Sequence, residues 1–184
     1  MIALHPRICM TATSPTGCTA HFRRLSQSCA QRFLVDKHPV TNALYHAFLL
    51  ASGYRPQFSQ NFLLHWEHDA TAPRGGTLNQ PVRWVSLRDA RAYCHYYGKR
   101  LPRDYEWALA AMSYDLHTYP WGEEWDPSRV PVASHANEMG EPEDVGLHPG
   151  GASTFGVEDL VAHIWQVCCV FLCRRVNQCL NERR

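Results

Sequence analysis

The chain has 184 residues, 45% of them hydrophobic and 19% charged, with a formal net charge of +1. That balance fits one globular domain with tails and excludes an intrinsically disordered chain. It excludes a global electrostatic pull toward nucleic acid or acidic membrane, and no apolar run approaches the ~20 residues that would span a bilayer.

Residues 1–31 contain no Asp or Glu and carry Arg7, Arg23 and Arg24 among Ser and Thr. They read as a disordered or targeting-like leader. A domain is expected over 32–166, opening with a strand at Phe33–Asp36. Pro39-Val40 then leads into a helix N-capped by Thr41, whose hydroxyl can accept an orphan amide proton. Leu44 and Phe48 are expected to share its inner face at i,i+4 spacing, and Gly53 to stop it in the left-handed conformation. After a loop from Arg55 to Gln80, Pro81–Val85 reads as a short strand. Ser86 and Asp89 form a capping box for a second helix running to Gly98. Pro102 opens a third helix that lacks a capping side chain, because Arg103 stands at the cap, while Glu106 keeps the N3 role. Beyond Tyr119 the prolines and glycines forbid a long helix. The sum is an α+β domain with much coil. From Gln166 the sequence changes character, and 167–184 reads as a tail foreign to the domain. The apolar stretch from Ile164 to Cys173 suits a buried strand or part of that tail.

Of the eight cysteines, Cys9, Cys18 and Cys29 precede the domain, Cys168, Cys169, Cys173 and Cys179 follow it, and only Cys94 is central. There is no Cys-x-x-Cys pair, which argues against a zinc ribbon or thioredoxin-type site. Free thiols in a reducing compartment follow, and with them a cytoplasmic location. His65-x2-His68 is a weak metal pair that reads better as solvated or packed. Tyr93, Tyr96, Tyr97, Trp107 and Trp121 could line a groove, but aromatics at helical spacing more often form core. Lys99-Arg100 reads as a local ion-pairing site.

The most specific string is Gly98-Lys99-Arg100-Leu101-Pro102, then Glu106-Trp107, Ala110-Ala111 and Tyr119-Pro120-Trp121-Gly122. It is preceded by Pro39-Val40-Thr41-Asn42 and followed by Phe155-Gly156-Val157. Together these resemble the sulfatase-modifying-factor family, the formylglycine-generating-enzyme domain. The resemblance implies a C-type-lectin-like form of the α+β fold, incomplete here at its C-terminus. It also implies a calcium turn, with ligands from the Asp159 side chain, the Ala162 and Ile164 carbonyls and the Gln166 side chain, since calcium prefers hard oxygens. Two departures bear on that turn: the family Gly is Ala162 and the family Asn is His163. The Arg-Gly-Gly-Ser…Cys context that would present copper-binding thiolates is missing after Trp165. The resemblance therefore implies a binding or scaffold module without independent catalysis in this chain.

A second pattern is His65-Trp66, Pro81–Ser86 with Asp89–Arg91, and Asp144–Pro149 with Gly151–Ser153. It resembles the C-terminal domains of non-heme iron sulfoxide synthases of ergothioneine and ovothiol synthesis. Those hold iron through a His-x3-His-x-Glu segment, and no histidine here has another at i+4. Iron or copper would have to come from a missing or partner segment. A chain that ends before closing its sheet is expected to need a protein partner to complete the fold.

Overall fold

The computed structural model describes residues 4–5, 33–66, 72–131 and 141–168. An antiparallel ladder pairs β1 (Leu4–His5) with β2 (Leu34–Val35), Leu4 opposite Val35. Three helices follow: α1 (Asn42–Ser52), α2 (Leu87–Tyr96) and α3 (Asp104–Met112). Irregular chain makes up most of the rest, so the domain is mixed and coil-rich.

The caps stand where residue chemistry places them. Thr41 Oγ1 accepts from the Leu44 amide at 3.3 Å, and Gly53 closes α1 at φ 63° with its N–H on Leu49 O. Ser86 and Asp89 exchange both bonds of their capping box, at 3.2 and 2.8 Å. The Asp89 carboxylate also accepts from Tyr54 Oη at 2.7 Å, tying the chain after α1 to the start of α2. At α3 the Arg103 side chain makes no cap bond, and its amide donates to Glu106 Oε2 at 2.8 Å. Losing a side-chain cap costs about 1 kcal/mol. Here Glu106, buried, also holds the Arg100 guanidinium through bonds of 2.6 and 2.7 Å, a bidentate arrangement that strengthens both partners. Lys99 pairs with Asp36 at 2.7 Å. The ion-pairing role expected of Lys99-Arg100 is thus the one observed.

The inner face of α1 differs from expectation. Asn42, Tyr45 and Phe48 are buried, at a spacing of three, while Leu44 is 51% exposed. The helix enters with Asn42 turned fully inward, which carries Tyr45 rather than Leu44 over the core. Tyr45 stacks on Tyr93 of α2 at 5.5 Å, and Phe48 meets the same ring edge-on at 5.4 Å. Such pairs contribute about 0.5–1.5 kcal/mol each beyond their burial. Tyr96 and Tyr97 lie at the margin of this cluster and stay partly exposed. The core expectation therefore holds for Tyr93 and fails for them.

Pro81–Val85 is not a strand. Pro81 forms an isolated bridge with Thr41, and the Val82 amide donates to Val40 O at 2.9 Å. Pro81 has no N–H to extend a ladder, and Trp84 turns to φ 54°, which ends the extended run. The described part of Ile164–Cys173, through Cys168, is likewise not a buried strand: Trp165 is 96% exposed. Residues 169–173 lie outside the described residues, as does most of the 1–31 leader.

A second apolar cluster sets Ala110 and Ala111 of α3 against Val157 and Leu160. This packing brings the Asp159 turn close to α3. Farther along, two 3₁₀ turns, Pro127–Arg129 and Pro149–Gly151, touch so closely that a Cβ on Gly151 would stand 2.1 Å from Arg129 O.

Candidate functional site

The four residues expected around calcium lie on one turn, 159–166. Asp159 is buried, in a left-handed conformation at φ 58°. Its Oδ2 accepts from the Gly146 amide at 2.8 Å. Ala162, where the resemblance places glycine, also sits at φ 59°, a conformation that a Cβ disfavours. Gln166 turns inward. Its Nε2 donates to Asp159 O at 2.8 Å, and its Oε1 accepts from the Trp107 indole N–H. Ile164 is half-buried. Two of the oxygens expected to face a cation, Asp159 Oδ2 and Gln166 Oε1, thus accept from protein donors. Among the described residues no group of three or more His, Cys, Asp and Glu side chains is placed to hold a metal ion.

Two imidazoles flank Asp159. His163 Nδ1 lies 3.8 Å from Oδ1, and His38 Nδ1 lies 3.9 Å from Oδ2 and 3.6 Å from Glu158 Oε2. His163 Nε2 faces the Glu143 carbonyl at 3.0 Å. A carbonyl only accepts, so that nitrogen carries the proton. Both Nδ1 atoms are buried without a hydrogen-bond partner. Glu158 is anchored by Lys37 at 2.7 Å. His148 bridges Glu143 Oε2 at 2.8 Å and Ser128 O, and the Glu143 carboxylate raises its pKa first among several causes. Sequence reasoning named Asp159 and Gln166 but missed His38, Gly146 and Trp107, which reach the turn from far along the chain. Only His163, standing at the family's Asn, carried a signal.

A second polar centre surrounds Asn42, which is fully buried. Its Nδ2 donates to Thr77 O at 2.9 Å, and its Oδ1 accepts from Trp66 Nε1 at 3.1 Å and faces His65 Nε2 at 2.8 Å. Burial, then the Arg83 guanidinium, pushes the His65 pKa down to about 4. His65 and Trp66 are therefore packed, and His68 lies outside the described residues.

Of the cysteines, Cys94 is 1% exposed in the core, and burial pushes its thiol up to about 11. Neither Cys94 nor Cys168 is in a disulfide. No helix among the described residues is long and apolar enough to cross a membrane.

Capped helices set against irregular chain, with a buried Asp turn docked on α3, define an α+β domain of the formylglycine-generating type. The profile described as the sulfatase-modifying factor enzyme 1-like domain matches residues 13–179, and the chain belongs to that family. It is 32% identical over 167 residues to a hercynine oxygenase of Mycolicibacterium thermoresistibile, covering 73% of this chain and 34% of that protein. It is 29% identical to the inactive C-alpha-formylglycine-generating enzyme 2 of Bos taurus, covering 73% and 58%. A formylglycine-generating enzyme of Thermomonospora curvata is 28% identical, with 74% and 59% covered. The chain thus spans between a third and three fifths of the length of these relatives.

Proposed function

We propose that this chain is a sulfatase-modifying-factor-type binding module, without catalysis of its own, that works joined to a further segment or protein partner. The observation that carries the reading is the state of Cys94. Cys94, the one core cysteine among the described residues, is sealed from solvent and its thiol is pushed up to about 11, so it offers neither access nor thiolate at neutral pH. Trp165, 96% exposed, and Leu147, 59% exposed, give a partner apolar surface to cover. The C-type-lectin-like form of the fold belongs with this reading.

A second reading is favoured by the likeness to the hercynine oxygenases, at 31–32% identity. In it the chain is the non-metal portion of a non-heme iron sulfoxide synthase. The test is oxygen consumption and product analysis with iron(II), a thiol and hercynine. The purified chain alone is expected to turn over nothing. Turnover only after adding a helical iron-binding partner selects the second reading, and turnover by the isolated chain overturns the first.

In the same reading the 159–166 turn is closed by hydrogen bonds in place of calcium. The melting temperature is then expected to be equal in calcium and in EDTA, because only an ion that binds the folded state raises it. A calcium-dependent rise that Asp159→Ala removes would restore the metal.

A further inference from the structure

The net charge of +1 conceals a strongly polarised chain. Residues 32–103 hold ten Lys and Arg against four Asp and Glu, and residues 104–166 hold one against twelve. The fold gathers part of the positive excess on the outer face of α2. Arg88, Arg91 and His95 stand at i, i+3 and i+7, share that face and are exposed. The helix's one carboxylate, Asp89, is buried and spent on the capping box and Tyr54. The Arg88 guanidinium donates to the Gln57 side-chain oxygen, a neutral partner that leaves its charge in place. The same contact brings the loop after α1, with the exposed Arg55, beside the helix. Residues 42–66 contain no Asp or Glu to offset it.

The negative excess comes to the surface on the Tyr119–Arg129 segment. Tyr119 and Gly122 exchange backbone bonds of 2.9 and 3.0 Å, and this tight turn leads into Glu123 and Glu124, both exposed. Glu123 accepts from Thr118 Oγ1 at 2.7 Å and faces His117 Nδ1 at 3.1 Å. These bonds hold its carboxyl below the usual range, so it is ionised at neutral pH. Among the described residues, no hydrogen bond or ion pair engages the Glu124 carboxylate. Arg129, the one Lys or Arg of residues 104–166, is taken up by Asp126 at 2.8 Å and Gly150 O at 2.9 Å. It therefore does not offset the glutamates. Helix α2 packs with α1, whereas this segment packs through Pro127–Arg129 on Pro149–Gly151, so the two charged faces stand on different units of the fold.

We infer that the basic face of α2 docks on the Glu123–Glu124 turn of a second copy of this chain. Charge complementarity selects that occupant. A nucleic acid or an anionic lipid surface is drawn to the α2 face but repelled by residues 104–166 of the same molecule. A second copy carries both signs. Pairing like faces sets Arg88 and Arg91 against their own copies, or Glu123 and Glu124 against theirs, and like charges oppose it. The basic face of one copy therefore meets the acidic turn of the other. Exposed ion pairs are individually weak and screened by salt, so the association depends on concentration and ionic strength.

The test is sedimentation velocity on the full chain, as a concentration series at low and high ionic strength. At ~0.01 M salt, where the Debye length is about 30 Å, the weight-average mass should rise with concentration toward about twice the 21.1 kDa of the monomer. At ~1 M salt, where the Debye length is about 3 Å, the monomer should return. Arg88→Gln with Arg91→Gln, and Glu123→Gln with Glu124→Gln, change exposed side chains only, and unchanged melting temperatures show that both double variants fold. Each double variant alone should be monomeric at low salt, since it lacks one of the two faces. An equimolar mixture of the two should associate again, since each supplies the face that the other lacks. Association that withstands high salt belongs to apolar surface rather than to charge and overturns the inference. So does a wild type that stays monomeric at low salt, a double variant that associates like the wild type, or a mixture that remains monomeric.

Discussion

Replacing Asn42 with alanine tests whether one buried amide holds the first half of the domain together. The side chain is fully buried and joins three segments: α1, the Thr77 loop and the His65-Trp66 turn. Asn42→Ala orphans Trp66 Nε1, while Thr77 O keeps the Gln80 amide at 3.2 Å and His65 Nε2 keeps the Arg83 amide at 3.4 Å. A buried polar group left without its partner costs about 1–3 kcal/mol, and a net loss in that range is expected. Against a total stability of about 5–15 kcal/mol this is a sizeable fraction. It corresponds to a fall in melting temperature of about 2–12 °C for a chain of this size. Urea denaturation of wild type and variant reads it directly. Asn42→Asp provides the control. It keeps the acceptor for Trp66, loses the donor to Thr77, and places a carboxylate beside His65, so its deficit should shrink on acidification while that of the alanine variant should not. A loss below about 1 kcal/mol for Asn42→Ala would falsify the hub.

The His65 imidazole, held down to about pKa 4, fixes a pH window. An unfolded histidine titrates near 6.5. Above that pH both states are neutral and His65 adds no pH dependence. Between about 6.5 and 4 the unfolded chain binds the proton and the folded one does not, so stability falls as pH falls. After allowance for partial solvent exposure the loss is on the order of 2 kcal/mol, and subtracting a His65→Gln denaturation series should isolate it. Ala162→Gly relieves a left-handed Cβ at φ 59° and should stabilise by about 1 kcal/mol in thermal melts; a destabilised variant would show that the Cβ is not strained. Gly151→Ala places a Cβ 2.1 Å from Arg129 O; a backbone must move, and a loss of about 1–3 kcal/mol is expected in the same melts.

Local signals were legible because their physics is local. Thr41, Gly53 and the Ser86–Asp89 box act within four residues, and the helices start and stop beside them. Leu44 misled because i,i+4 spacing says which residues share a face but not which face is turned inward. That choice was made by Asn42, whose partners Thr77 and Trp66 lie 35 and 24 residues away. Pro81–Val85 misled for a related reason: its extended start is real, but the partner of Leu63 N is the Trp84 carbonyl, which requires the left-handed turn. At the 159–166 turn the residue that stands where the resemblance expects glycine, Ala162, is the one found at φ 59°. The sequence could not show that Trp107, on α3, would take the Gln166 oxygen.

That last contact separates two roles a turn can have. A metal turn directs its oxygens at a common point and leaves them without protein donors. Here Gly146, Trp107 and the Gln166 amide itself supply donors to Asp159 and Gln166 from three directions. Of these donors only the Gly146 amide reaches the Asp159 carboxylate; the Gln166 amide bonds the Asp159 backbone carbonyl and Trp107 bonds Gln166. His163 contributes its own ring to the same closure through Glu143 O. Ala162 and His163 belong together on this account: histidine supplies a hydrogen bond across the turn, and that closure holds alanine in a conformation it would otherwise leave. Ala162→Gly in a His163→Asn background should therefore gain less stability than Ala162→Gly alone, by a coupling of about 0.5–1 kcal/mol in a double-mutant cycle. Additive effects would mean that the two substitutions are independent and that the turn owes its shape to α3 alone.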